Sequence, residues 1–403
     1  MRGSKSWLAA CALVCVLGAG CATFEPIAVS STDTTTAATT SDPAATTTAA
    51  PEDSSAPEAD ARVHILLAGD NLISDTIYRN AAELAQSEGK DGYDFTPTYE
   101  HIARFVKAAD LAILNQETIV TDEFEPSPYP CFCSPEALGD TMVDLGFNAI
   151  SMSNNHVIDK GEAGFLATLN YWDEKHPDVV HYGAYRDQAD MDSIATKTVN
   201  GITFAFLGYM EYTNGLSLPD GSPCRITYLS ELDTIKKQVE AADKLADVVV
   251  VSCHYGVEIT NQVSDLQYDV TQDLVNWGAD LIVGTQAHTI QECAYIPRED
   301  GTKAFCYYGL GNLVSTQETA LAMVGALGDL YAVKDADTGD VTFEQCKEIP
   351  VVTFFPSNYS VVTTYPLSEY TDDIAKNQFH NDMTVKRIKD IIKTVPAEFL
   401  SIE

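Results

Sequence analysis

The sequence predicts an α/β domain built on a buried β-sheet, with a smaller β/α extension at its C-terminal end. Three features predict it. Short apolar runs recur, each the length of one strand; amphipathic stretches separate most of them; and clusters of Asp, Asn, Glu, His and Gly begin where the runs stop. Strands that are apolar along their whole length belong to sheets covered on both faces, which alternating helices provide.

The first run, 63–68, opens the folded region. Residues 97–109 place apolar side chains on one helical face and lead into a strand at 109–114. A helix over 134–145, a strand at 149–152 and a helix over 161–172 come next. Further strands are expected at 202–207, 248–251, 281–283 and 305–308, with helices over 230–245 and 268–277 between them. Beyond Ser315 the pattern weakens to strands at 330–333, 341–343, 351–355 and 359–364 and a terminal helix over 371–392. The folded region therefore reads as a main domain, 62–320, and an extension, 321–403, packed on it.

Two segments of different character precede the fold. Arg2 and Lys5 stand before a run of apolar and small residues, 7–19, too short to span a bilayer and suited to a secretory signal. It ends Leu17-Gly18-Ala19-Gly20-Cys21, which resembles a bacterial lipobox. Residues 1–21 are then a lipoprotein signal peptide, and Cys21 carries a lipid anchor on the extracellular face of the bacterial cell membrane. Residues 22–61 are rich in Thr, Ala, Ser, Pro and acidic groups and hold no Lys or Arg. Such a segment cannot bury enough surface to fold; it reads as a disordered tether with a reach of roughly 35 Å.

The 403 residues carry 59 acidic against 24 basic side chains, a net charge of −35. Binding a phosphate backbone needs basic surface, so nucleic acid is excluded as a partner. Of ten cysteines, Cys11 and Cys15 lie in the signal and Cys21 is the anchor. Export permits disulfides among Cys131, Cys133, Cys224, Cys253, Cys293, Cys306 and Cys346, but spacing assigns no pairing. Cys131-Phe132-Cys133 is too tight for a zinc knuckle, and Cys253, inside an apolar run, reads as core.

The functional signal lies immediately after each run. The clusters are Gly69-Asp70-Asn71, Asn115-Gln116-Glu117, Ser153-Asn154-Asn155-His156 with Asp159, His254-Tyr255-Gly256 with Glu258, Gly284-Thr285-Gln286-Ala287-His288 with Gln291, and Gly309-Leu310-Gly311-Asn312. In open α/β sheets ligands bind beyond the carboxyl ends of the strands. Carboxylates, amide oxygens and imidazoles gathered there suit one or two divalent ions, Mn, Fe or Zn. Such ions activate water and clamp a phosphoryl group. Each residue alone has an ordinary role open to it: Asp70 can cap a helix, Asn115 and Asn154 can shape turns, and His156 can sit satisfied in a core. Their recurrence at one strand end after another points to a shared site. His64, His101, His176, His181 and His380 lack this setting.

In this order the motifs resemble those of the bacterial CapA family, the capsule (poly-γ-glutamate) biosynthesis proteins, over about residues 63–313. Asn154-Asn155-His156 with Asp159 and Gly161 is the most specific piece. That family is similar in fold to calcineurin-like metallophosphoesterases, so the resemblance implies a sandwich of two central β-sheets flanked by helices. It implies metal ligation by Asp70, Glu117, Asn155, His254 and His288, and catalytic roles for His156 and Asp159. It assigns Asn115, Asn154, Glu258, Gln286, Gln291 and Asn312 to substrate binding or support of the ligands. Four positions depart from the pattern. Leu72 stands where an Asp-x-His opening has its His, Gln286 replaces a usual His, Tyr255 a usual Trp, and Leu313 a usual Phe. The missing His leaves a single ion open beside a two-metal centre.

Two functions are consistent with these residues. One is a metal-dependent, phosphoesterase-like hydrolase acting on a cell-envelope substrate. The other is a non-catalytic capsule-assembly scaffold that holds an anionic capsule polymer in the same cleft. Both imply capsule-synthesis membrane proteins as partners. A solute-binding lipoprotein would share the anchor and the α/β texture but has no use for histidines at strand ends.

Overall fold

The computed structural model describes residues 60–402, so the signal, Cys21 and all of the tether except Asp60 and Ala61 lie outside the described residues. Two sheets form the centre. The first is ordered β14 (Thr363–Pro366), β13 (Val341–Phe354), β12 (Val324–Lys334), β1 (Ala61–Asn71), β2 (Leu111–Asn115), β3 (Ala149–Ser151), β4 (Val180–Tyr182), with β11 (Asn312–Val314) beside the end of β1. The second is ordered β5 (Ala195–Val199), β6 (Ile202–Met210), β7 (Val248–Tyr255), β8 (Leu281–Gln286), β10 (Lys303–Tyr307), β9 (Cys293–Pro297). Strands β1 to β4 are parallel, as are β6, β7, β8 and β10. Antiparallel β12, β5 and β9 are added at their margins.

The helices are α1 (Asp75–Ser87), α2 (Thr96–Tyr99), α3 (Ala103–Ala108), α4 (Glu136–Leu145), α5 (Gly161–Lys175), α6 (Gln188–Asp192), α7 (Leu232–Ala242), α8 (Asp265–Asn276), α9 (Asp372–Ala375) and α10 (Val385–Ile391). None of the described helices is long and apolar enough to cross a membrane. The second sheet shows why its strands are apolar throughout. Phe204, Phe206, Val248 and Val250 face the core shared with the first sheet, while Ala205, Leu207, Val249 and Val251 pack beneath α7 and α8. Successive side chains of a strand point to opposite faces, and here both faces are covered. Ser264 and Gln267 close a capping box at the start of α8.

The two-sheet α/β architecture is the one expected, and several elements differ in detail. The 97–109 helix is broken into α2 and α3. Strands β4, β5, β9 and β11 carried too little signal to be read; helix α1 was missed although Ile77, Tyr78, Ala81 and Ala85 form a buried face, because most of that face is small or polar. The strands expected at 341–343 and 351–355 are one, β13, whose polar middle (Glu344, Gln345, Lys347, Glu348) hid it. Its register shifts there opposite Asp329 to Tyr331. The terminal helix is interrupted because Gln378 leaves it to bond Thr353 O and Phe355 N at the end of β13, at 2.9 and 3.0 Å. The chain beyond residue 320 thus extends the first sheet itself through β12, β13 and β14. All seven described cysteines are free thiols, and Cys253 is buried in the core.

Candidate metal centre

Strands β1, β2, β3, β7 and β8 end at one place, where their polar residues meet. Close backbone packing makes this possible. A Cβ on Gly69 would lie 1.9 Å from Gly311 O, and one on Gly284 would lie 2.0 Å from Tyr308 O. Gly69 therefore lets the end of β1 press against the turn into β11, and Asp70 N bonds Gly311 O at 2.9 Å. The register of β1 slips on either side of Asp70, a bulge of the kind that re-aims a side chain beside a site. Asp70 does not cap α1, whose N-cap is Ser74.

Asp70, Glu117 and His288 offer ligand atoms that all lie within 4.8 Å of one another. His254 adds its ring at 3.7 Å from Glu117 Oε1 and 3.9 Å from Asp70 Oδ1. Asn155 joins through Oδ1, 3.1 Å from His254 Nε2. The five residues expected as ligands are thus brought together, all of them buried. His288 Nδ1 lies 3.0 Å from Asp70 Oδ2 and 3.1 Å from Asn312 Oδ1. Both oxygens only accept, so Nδ1 carries the proton and Nε2 faces Glu117 at 3.8 Å. Asn115 donates to Asp70 Oδ1 at 2.7 Å, and Thr285 Oγ1 meets His254 Nδ1 at 2.8 Å.

The electrostatics follow from burial. Burial, reinforced by the Asp70 carboxylate, pushes the Glu117 carboxyl far above the ordinary range. Burial works the same way on Asp70, but the hydrogen bond and charge of His288 outweigh it and hold that carboxyl low. Burial drives His254 down to about 3. His288 is raised to about 9, because Glu117 and Asp70 overcome the same desolvation. Neither oxygen of Glu117 has a hydrogen-bond partner. An unpartnered buried carboxylate is costly, and a bound cation removes that cost, so these residues fit a divalent ion.

His156 stands at the edge of this group and lines a cavity of about 620 Å³ together with Asn155, Glu258 and His288. Its Nδ1 meets Asp159 Oδ2 at 2.7 Å, and the Phe132 ring packs edge-on at 4.7 Å. Asp159 does not line the cavity; it also accepts from Phe132 N at 2.6 Å, so it orients His156 from behind. Asn154 bonds Gln116 O and His156 N at 2.9 and 3.1 Å, shaping the turn. Asn312 braces His288. Gln291 spends its amide on Thr260 O, Gln262 O and Gln267 and supports a loop away from the ion-binding groups.

Sequence reasoning missed Tyr212 and Asn214. Tyr212 bonds Gln286 and Glu258; Asn214 bonds Asn155 at 3.3 Å. A signal existed: the β6 run continues to Met210 and ends in Glu211-Tyr212-Thr213-Asn214-Gly215, a polar cluster like the others. The five histidines set aside lie elsewhere, each with its own oxygen partner, such as His64 with Asp329 and His181 with Asp173.

A two-sheet α/β scaffold with a buried carboxylate, amide and imidazole cluster at its strand ends defines the class of protein. The chain belongs to the family described as bacterial capsule synthesis protein PGA_cap, whose profile it matches over residues 64–317. It is 29% identical over 197 residues to the PGA biosynthesis protein CapA of Bacillus subtilis, covering 49% of this chain and 50% of that one. It is 26% identical over 247 residues to the capsule biosynthesis protein CapA of Bacillus anthracis, covering 59% and 57%. The chain thus spans little more than half the length of these relatives. Among solved structures, a phosphatase from Mycoplasma pneumoniae aligns over 80% of this chain and 99% of its own with 14% identity and a TM-score of 0.44.

Proposed function

We propose that this chain is a metal-dependent hydrolase of phosphoester type that serves capsule synthesis at the cell envelope. The observation that carries this is Glu117: a carboxylate held in the interior, both oxygens unpartnered, among Asp70, His254 and His288. A divalent ion held by these residues and Asn155 would supply Lewis-acid polarisation and lower the pKa of bound water. The protein's own groups do the rest. Asp159 fixes the His156 ring with Nδ1 protonated, which presents Nε2 to the cavity as a proton donor or acceptor for a leaving group. Asn214 steadies Asn155, and the Phe132 ring keeps one face of His156 from water.

The cavity lining argues for hydrolysis over a polymer-holding scaffold. Apart from the ion-binding His288, its charged side chains are Asp75 and Glu258, with no Lys or Arg. A polyanion would find no Lys or Arg there and would depend on the ion and its His288 ligand, whereas a single phosphoester needs only that. The anchor reading completes the proposal: lipid on Cys21 and the 22–61 tether would hold the domain outside the membrane, near an envelope substrate and capsule-synthesis membrane proteins. Palmitate labelling of cells expressing wild type and Cys21→Ala tests the anchor, with label lost from the variant.

The activity test is hydrolysis of bis-p-nitrophenyl phosphate by the full chain reconstituted with Mn, with bound metal counted by mass spectrometry. Turnover that disappears in His156→Ala supports the proposal. A wild type that binds no metal and shows no turnover overturns it.

A further inference from the structure

Gln286 occupies a place where two unusual features coincide. It is fully buried, and its backbone sits at φ 86°, with His288 at φ 56° two residues on. Non-glycine residues in this region are strained, so the turn is held by its surroundings in a shape that suits these side chains. The Gln286 side chain is also chemically one-sided. Its Nε2 donates to Glu258 Oε1 at 3.0 Å and to the Tyr212 hydroxyl. The Tyr212 hydroxyl in turn donates to Glu258 Oε1 at 3.3 Å.

That arrangement fixes which way the amide faces. A carboxylate can only accept, and the Tyr212 proton is committed to it, so both partners demand an N–H from Gln286. The reversed amide would set a carbonyl oxygen against a carboxylate. With Nε2 engaged twice, Oε1 is left buried without any hydrogen-bond partner. It shares that condition with both oxygens of Glu117, while the Gln286 backbone N–H reaches Asp70 Oδ2 at 3.3 Å. Buried acceptors are rarely left unmade in a native interior. Here two neighbours of the Asp70 carboxylate are left so.

We propose that Gln286 is an oxygen ligand of the centre, its carbonyl held toward the ion by Tyr212 and Glu258 as positioning residues, and that this makes the site oxygen-rich and tilts it toward hard divalent cations of the Mn or Mg class. This rests on the metal-centre reading above and goes beyond it by assigning a ligand, its clamp and the ion class. The donors would be carboxylate oxygens of Asp70 and Glu117, amide oxygens of Gln286 and Asn155, and the nitrogens of His254 and His288. Oxygen donors favour Mn and Mg over Zn relative to a site with a further imidazole. Losing a supporting hydrogen-bond partner typically weakens metal affinity about 10- to 100-fold.

The test is calorimetric titration of metal-stripped full chain with MnCl2 and with ZnCl2, comparing wild type, Gln286→Leu, Gln286→His, Tyr212→Phe and Glu258→Gln. Thermal unfolding of each stripped protein shows which variants fold. We expect Gln286→Leu to weaken Mn binding at least tenfold, and Gln286→His to raise the ratio of Zn to Mn affinity at least tenfold. Tyr212→Phe and Glu258→Gln should each weaken Mn binding with smaller change for Zn, and they decide the matter if the Gln286 variants do not fold. Wild-type Mn affinity retained in Gln286→Leu, or in both clamp variants, overturns the proposal while leaving the metal centre intact. A wild type that takes up neither metal removes the centre itself, and this inference with it.

Discussion

The imidazole of His156 is tied to the buried carboxylate of Asp159, Nδ1 to Oδ2, at 2.7 Å. Asp159 is itself pinned by Phe132 N, so the ring's tautomer and direction are set by a group that never meets the cavity. Substituting either member should remove proton transfer while sparing ion binding. For His156→Ala we expect a fall in phosphodiester turnover of about 100- to 10,000-fold. Asp159→Asn should change turnover in the same direction, because an amide does not enforce the tautomer. Metal content measured by mass spectrometry should match wild type in both. Loss of the metal along with the activity would show that the pair is structural.

Ion uptake should depend on pH with a definite sign. Against its burial, His288 is raised to about 9 by the Glu117 charge, and Glu117 is itself pushed up by burial, so at neutral pH this pair together holds at least one proton that a cation must displace. His254, lowered to about 3, is already neutral and contributes none. Mn affinity should therefore climb between pH 6 and 9 and level off above about 9. Titration in buffers of different ionisation enthalpy should show release of about one proton or more at pH 7. An affinity flat across this range would contradict the prediction.

Glu348 supplies a stability prediction remote from the centre. It is fully buried in β13 with neither carboxyl oxygen conventionally bonded, and burial, offset only partly by the Cys293 thiol, pushes it from 4.5 to about 8. The folded state therefore keeps a proton that the unfolded chain releases. Stability from this group is greatest below the unfolded value and is lost as pH rises through about 8. Glu348→Gln keeps the shape without the titration. It should gain on wild type as pH rises from 5 to 8, by on the order of 3 kcal/mol at the upper end, measured by urea unfolding at both pH values.

Gly69→Ala tests the strand-end packing that forms the centre. The added Cβ would stand 1.9 Å from Gly311 O, a backbone atom with no flexible end to yield. We expect a loss of about 1–3 kcal/mol in stability, seen as a lower unfolding temperature. Mn affinity should fall as well, because the same contact sets Asp70 beside Asn312.

The long parallel strands β1, β2, β6, β7 and β8 and helices α4, α5, α7 and α8 were legible because their signal is local: a strand covered on both faces must be apolar along its length, as β7 is from Val248 to Val251. The clusters that close the strands were legible for the same reason. β13 was legible only in pieces, since Glu344 to Glu348 break the apolar run and only pairing with β12 shows it to be one strand. Helix 371–392 failed because Gln378 is drawn out of it by the sheet end, a tertiary demand that overrides helical period.

The order of residues alone determined which side chains would crowd the strand ends, because polar groups placed after an apolar strand have nowhere else to go. It could not determine which of them touch. His288 and Asp70 meet across 218 positions of chain, and Gln286 and Tyr212 across 74. Whether Gln291 faces an ion or a loop, whether Asp159 meets the cavity or stands behind His156, and whether Glu117 keeps a partner are fixed by packing between two sheets. Only the folded chain brings those surfaces together, since hydrogen bonds and charges act over a few ångströms in space whatever their distance along the sequence.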